Sequence, residues 1–126
     1  MQSGLISCMG IFSFLNPLQK MAKNKGYENI GVEKFEELKR GKNSILIDVR
    51  TPFEIKAGKI DNALELDFMD RNFESQLSVL DKDATYLVYC RSGRRSARTC
   101  SVMNEMGFTS LYNLSGGYIA WSKSNS

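Results

Sequence analysis

The chain predicts an α/β domain: a small parallel β-sheet flanked by helices on both faces. Three observations carry that expectation. Strand-like and helix-like segments alternate from Tyr27 to Trp121, the order that builds parallel sheets through right-handed crossovers. The run from Ser44 to Val49 has almost no polar alternation, so that strand is to be buried on both faces. At 126 residues, with 42% hydrophobic and 25% charged positions, the chain has the size and composition of one globular domain with a core.

Taken in order, Tyr27 to Ile30 reads as a short edge strand. Val32 to Arg40 reads as a helix with Val32, Phe35 and Leu38 on one face, ended by Gly41 as a left-handed C-cap. Asp48 and Arg50 close the strand that begins at Ser44, at the carboxyl edge where open α/β sheets bind ligands, and are expected to approach the loop after Cys90. Thr51 and Pro52 start a short helix as N-cap and first helical residue. Ala63 to Leu66 is a short strand, and Asp70 to Leu80 a helix turning Phe73, Leu77 and Leu80 inward. Thr85 to Tyr89 is β-branched and aromatic, a buried strand, and Ala97, Cys100 and Met103 mark a packed helix over Arg95 to Met106. Ser110 to Leu114 is the last strand. Gly116-Gly117 permits a tight turn, and Tyr118, Ile119 and Trp121 form a short helix against the sheet.

Residues 1–26 differ from the rest and are expected to be an amphipathic or flexible N-terminal extension to a domain over 27–123. The apolar patch Cys8 to Leu15 precedes Lys20, Lys23 and Lys25. It is too short to span a bilayer, which takes about 20 apolar residues. No Lys or Arg precedes it, as a secretory signal would require, so membrane contact is not expected of it. Three cysteines, Cys8, Cys90 and Cys100, are too few for a disulfide framework and suit a reducing, cytoplasmic compartment. Export or membrane association through the N-terminal segment is the alternative.

The chemistry concentrates where the strand over Thr85 to Tyr89 stops at Cys90 and Arg91-Ser92-Gly93-Arg94-Arg95-Ser96 leads into a helix. Loop amides and a helix N-terminus present unpaired N–H groups there, so the ligand is expected to be anionic. Positive charge from Arg91, Arg94, Arg95 and Arg98 lowers a thiol pKa below its free value of about 8.5. A purely structural cysteine does not account for the arginines and glycine that follow at once. With no histidine in the chain, Cys/His zinc sites and histidine-dependent triads are excluded. No metal or cofactor is expected. A net charge of +3, concentrated beside one cysteine, is not the extended basic stripe of a nucleic-acid binder.

Cys90-Arg91-Ser92-Gly93-Arg94-Arg95-Ser96 resembles the active-site loop of the rhodanese family of sulfurtransferases. Two further stretches agree with it. Ile45 to Arg50 with Glu54, Gly58 and Ile60 resembles the family's first signature, and Leu114-Ser115-Gly116-Gly117-Tyr118-Ile119-Ala120-Trp121 its closing one. The resemblance covers about Tyr27 to Trp121, and three signatures in order are more specific than one loop. The chain departs from the family at Lys59, usually histidine, and at Asp61-Asn62, usually proline-glycine.

The resemblance implies a rhodanese-like fold and a sulfur atom carried as a Cys90 persulfide. The sulfur would come from thiosulfate or a related small anionic donor and pass to a thiol or to cyanide. Arg91, Ser92, Gly93, Arg94 and Arg95 would bind the donor through amides and side chains. Arg95 would turn inward, against Asp48, and Ser96 would cap the helix. Asp48, Arg50 and Glu54 would brace the neighbourhood without bond chemistry. A persulfide carrier that works only with a protein acceptor is one alternative. A phosphatase or arsenate reductase of related fold is the other, but the four residues between Cys90 and Arg95 are one fewer than that signature has. Cys100, about 9 Å along the helix at about 1.5 Å per residue, is expected to be buried and unreactive.

Overall fold

The computed structural model describes residues 26–126, and the expected extension lies almost wholly outside them. Five strands run parallel in the order β1-β5-β4-β2-β3: β1 Glu28–Ile30, β2 Ser44–Asp48, β3 Leu64–Glu65, β4 Thr85–Tyr89 and β5 Ser110–Leu114. The helices between them are α1 Val32–Arg40, α2 Pro52–Lys56, α3 Phe73–Ser78, α4 Arg94–Glu105 and α5 Gly117–Ser124. The expected fold class is therefore the one observed. The sheet centre is β4, flanked by β2 and β5 along their lengths, with Ile47 beside Val88 and Val88 beside Asn113.

Strand side chains alternate between faces, and the two faces make two cores. On one, Ile47, Val49, Tyr86, Val88 and Cys90 pack with Phe73 and Leu77 of α3 and Cys100 and Met103 of α4. On the other, Ile30, Leu46, Leu87, Tyr89 and Leu114 pack with Phe35 of α1, Ile60, and the half-buried Tyr118 and Trp121. Each fully buried large side chain contributes about 1.5–3 kcal/mol relative to exposure. Together these anchors hold helices on both faces and leave the carboxyl edge of the sheet for loops.

Several local expectations differ from what is observed. Gly41 has φ −69 and ψ 144, an extended conformation and not a left-handed one; its N–H still reaches the Leu38 carbonyl at 3.1 Å. The helix expected from Asp70 begins only at Phe73. The Asp67 carboxylate accepts from Met69 N–H and the Asp70 carboxylate from Asn72 N–H, both at 2.8 Å, and such local turns compete with helix. The segment from Ala63 pairs only over Leu64–Glu65, against Ile47 and Asp48. Asn62 has φ +70, a region in which asparagine is tolerated and glycine, usual here in the resembled family, is favoured. Lys59 pairs with Glu65 at 3.0 Å on the surface.

Candidate active site

The loop from Arg91 to Gly93 leaves the C-terminus of β4 and enters α4 at Gly93. Gly93 has φ +103, and a Cβ there would fall on the Ser115 carbonyl, so only glycine fits the turn. Asn113 of β5 holds it from beneath, its Nδ2 donating to the Gly93 carbonyl at 3.2 Å and to Asn29 Oδ1 at 2.9 Å. From above, the start of α5 straps the loop: Tyr118 N–H donates to the Cys90 carbonyl at 2.8 Å and Ile119 N–H to the Arg91 carbonyl at 3.1 Å. Gly117, at φ +64, is needed because a Cβ would meet the Arg91 carbonyl.

Cys90 is fully buried. Its Sγ accepts from Gly93 N–H at 3.1 Å and from the Ser96 hydroxyl at 3.3 Å. Burial pushes the thiol pKa up, but the Ser96 hydroxyl and the amides of Ser96, Gly93 and Ser92 together outweigh it, so the net displacement is downward. These donors favour thiolate. Burial alone acts on Cys100, whose thiol is pushed up to about 12. Cys100 sits in the core beside Met103, as expected, and both thiols are free.

Arg95 turns inward, but its partner is Glu54 and not Asp48: Nη1 and Nη2 donate to the two carboxylate oxygens at 2.9 and 2.8 Å. Glu54 also closes a capping box with Thr51, the expected N-cap of α2. Hydrogen bonds from Arg95 lead the causes that hold its carboxyl down at about 2. Ser96 does not cap α4. The N-cap is Gly93, and the Ser96 hydroxyl is committed to Cys90 one turn inside the helix.

Of the two charges expected to approach the loop after Cys90, Arg50 lines a cleft together with Arg91, while neither Asp48 nor Arg50 is a hydrogen-bond partner of the thiol. Asp48 is in register with Tyr89, so side-chain alternation places both on the sheet face away from Cys90. Arg50 donates to the Asp48 carboxylate through Nε and Nη2, at 2.9 and 2.8 Å, and to the Gly58 carbonyl at 2.9 Å. The Tyr89 hydroxyl donates to Asp48 Oδ2 at 2.6 Å and accepts from Ile60 N–H at 3.2 Å. The Arg50 guanidinium lies 4.3 Å from the Tyr118 ring centroid. This buried knot ties β2, β4 and α5 together beneath the loop.

Of the remaining loop residues, Arg91, Ser92 and Arg94 are exposed, as is Arg98; none of these arginines has an acidic partner among the described residues. A cleft of ≈ 490 Å³ opens beside Arg91, between α2 and α5. Sequence reasoning missed Asn113, whose signal was a lone amide inside an apolar strand, and the Asp48–Tyr89 contact, which needed the strand register. No His/Cys/Asp/Glu cluster able to hold a metal occurs among the described residues. Nor is any helix among them long and apolar enough to cross a membrane.

Fold and site define an open parallel α/β domain with a buried, hydrogen-bonded cysteine where a central strand passes into a helix. The rhodanese-like domain family matches residues 31–124. The chain belongs to that family. It is 39% identical over 79 residues to a sulfurtransferase of Allochromatium vinosum, covering 63% of this chain and 72% of the relative. It is 28% identical over 107 residues to a tRNA uridine(34) hydroxylase of Pelagibacter ubique, covering 84% of this chain but 36% of that protein. A human single-domain sulfurtransferase shares the fold at TM-score 0.70 and 21% identity, with 78% of this chain and 97% of that one covered. Family and relatives support sulfur transfer as the general activity.

Proposed function

We propose that the protein is a thiosulfate sulfurtransferase that carries sulfane sulfur on Cys90. The observation that carries this reading is the buried Sγ held by Gly93 N–H and the Ser96 hydroxyl, with the thiol pKa drawn down. The Cys90 thiolate attacks the outer sulfur of thiosulfate. The bond between the two donor sulfurs breaks, sulfite leaves with its electron pair, and Cys90 becomes a persulfide. A thiolate or cyanide then attacks the outer sulfur and returns the electron pair to Cys90, a two-step covalent cycle.

Arg91 and Arg94, exposed and without acidic partners among the described residues, attract the anionic donor. The loop amides surround the transferred sulfur, and Arg95, anchored on Glu54, holds the loop's shape. The four-residue spacing to Arg95 favours a cradle for one sulfur over one for a tetrahedral phosphate. Intact-mass measurement after incubation with thiosulfate tests the reading: wild type and Cys100→Ser should gain the mass of one sulfur, and Cys90→Ser should gain none and lose thiosulfate:cyanide turnover. Full turnover by Cys90→Ser would sink it. Loading without turnover on any small acceptor would favour instead a carrier that serves a protein partner.

A further inference from the structure

Asn113 is 2% exposed, a carboxamide in β5 level with Val88 and so on the sheet face that carries Cys90. Both hydrogens of its amide nitrogen are engaged, one on the Gly93 carbonyl at 3.2 Å and one on Asn29 Oδ1 at 2.9 Å. Asn29, exposed on the edge strand β1 and paired in register with Asn113, fixes which way that amide faces, because a flipped amide would set Oδ1 against two acceptors. Oδ1 is buried and finds no donor among the described residues. Leucine, with the same branching, would fill the place without the desolvation cost of an unpaired oxygen. Packing therefore does not account for an asparagine here.

What the amide holds is a residue with no side chain to limit its backbone. Gly93 N–H donates to Cys90 Sγ at 3.1 Å, while its carbonyl accepts from Asn113 and, at 3.2 Å, from Ala97 N–H in the first turn of α4. Gly93 is the N-cap of α4 and makes no side-chain cap itself, so Asn113 restrains the point where loop becomes helix. We infer that Asn113 is a positioning residue for sulfur transfer: held by Asn29, it fixes Gly93 so that the Gly93 N–H stays aimed at Cys90 Sγ. The inference rests on Cys90 carrying sulfur. In loading, the aimed N–H favours the thiolate that attacks the outer sulfur of the donor. In transfer, the acceptor thiolate bonds to the outer sulfur of the persulfide, the bond to Cys90 Sγ breaks, and Sγ takes the electron pair. The same N–H then meets the charge that develops on the leaving sulfur. Asn113, buried beneath the loop, acts on the rate of both steps and not on donor affinity.

Asn113→Leu tests this in a Cys8→Ser background, where Cys100 is buried and alkylation reads Cys90. The Gly93 carbonyl keeps its Ala97 partner and Asn29 is left to solvent, so the urea midpoint should match or exceed that of the parent. The thiolate midpoint, read by iodoacetamide alkylation across pH, should rise by about one unit, the size of one hydrogen bond to a charged group. Below both midpoints, loading by saturating thiosulfate should slow about ten-fold, in step with the thiolate fraction, with the half-saturating thiosulfate concentration little changed. The charged groups around Cys90 are the exposed Arg91 and Arg94 and the Glu54-paired Arg95, whose charge interacts with the thiol; all are unaltered. Asn29→Ala, at an exposed position, should move the midpoint the same way by less, and decides the matter if the leucine variant does not fold. Unmoved midpoints in the variants that fold would overturn the inference, and stability and activity lost together with the midpoint in place would make Asn113 a packing residue only. Wild-type protein that never loads would instead overturn the sulfurtransferase reading, while the alkylation profiles would still show whether Asn113 aims the Gly93 N–H.

Discussion

Ser96 sits one turn into α4 with its hydroxyl 3.3 Å from Cys90 Sγ, and this placement matters more to the thiol than the exposed arginines do. Its hydroxyl is the foremost of the groups opposing the upward push of burial on Cys90. Loading by thiosulfate should rise with pH to a plateau, since only thiolate attacks, and its midpoint should lie below the free-cysteine value of about 8.5. In Ser96→Ala the midpoint should move up, toward or past that value, while the plateau rate changes less. Loading rates across pH, checked against thiolate absorbance, measure it; an unmoved midpoint would mean the amides alone set the thiol. The hydroxyl's role was not legible in the sequence, where a serine after two arginines read as a helix cap. The handedness of the turn at Gly93 decides which residue caps and which faces the sulfur.

At the scale of elements, α2 and α4 are joined by one carboxylate. Glu54 Oε1 accepts from Thr51 N–H and from Arg95 Nη1, each at 2.9 Å, so the same side chain caps a five-residue helix and anchors the far end of the Cys90 loop. Glu54→Gln should cost about 1–3 kcal/mol near neutral pH, since it removes charge-assisted hydrogen bonds from a partly buried pair. Its folded-state pKa of about 2 lies below the unfolded value of about 4.3. The contribution is therefore complete above the unfolded value and lost as pH falls toward the folded one. Urea midpoints of wild type and variant should differ near neutrality and converge between about pH 4 and pH 2; a gap that persists in acid would assign the loss to something other than the ion pair. Thr51 and Pro52 as the start of α2 were readable from the sequence because capping is local. The shortening of the helix expected from Asp70 was not, because Asp67 and Asp70 spend their carboxylates on nearby amides and periodicity does not register that competition.

Across the whole molecule, one sheet divides the labour between its faces. The Cys90 face is closed by α3 and α4, and the opposite face holds the Asp48–Arg50–Tyr89 knot under α1 and α5. Cys100 lies deep in the first core, fully buried, and reaches solvent only when α4 leaves the sheet. In a Cys8→Ser, Cys90→Ser background, a bulky thiol reagent should label Cys100 only through global opening, with a rate that rises with urea in step with the unfolding equilibrium. Fast labelling in native buffer, independent of urea, would show that α4 opens by itself.

The alternation of strands and helices, the burial of β2 and β4, the family, and the cysteine loop at the sheet's carboxyl edge could all be read along the chain. Those properties follow from period, composition and short-range motifs, which a linear chain displays. That Arg95 meets Glu54, that Asp48 faces away from the thiol, and that α2 and α5 leave a cleft beside Arg91 emerged from the packing of distant segments. The reason is register. Tyr89 must face away from Cys90, its neighbour in the chain, but Asp48 shares that face because it stands level with Tyr89; a one-residue slip of β2 against β4 would have turned Asp48 to the Cys90 face.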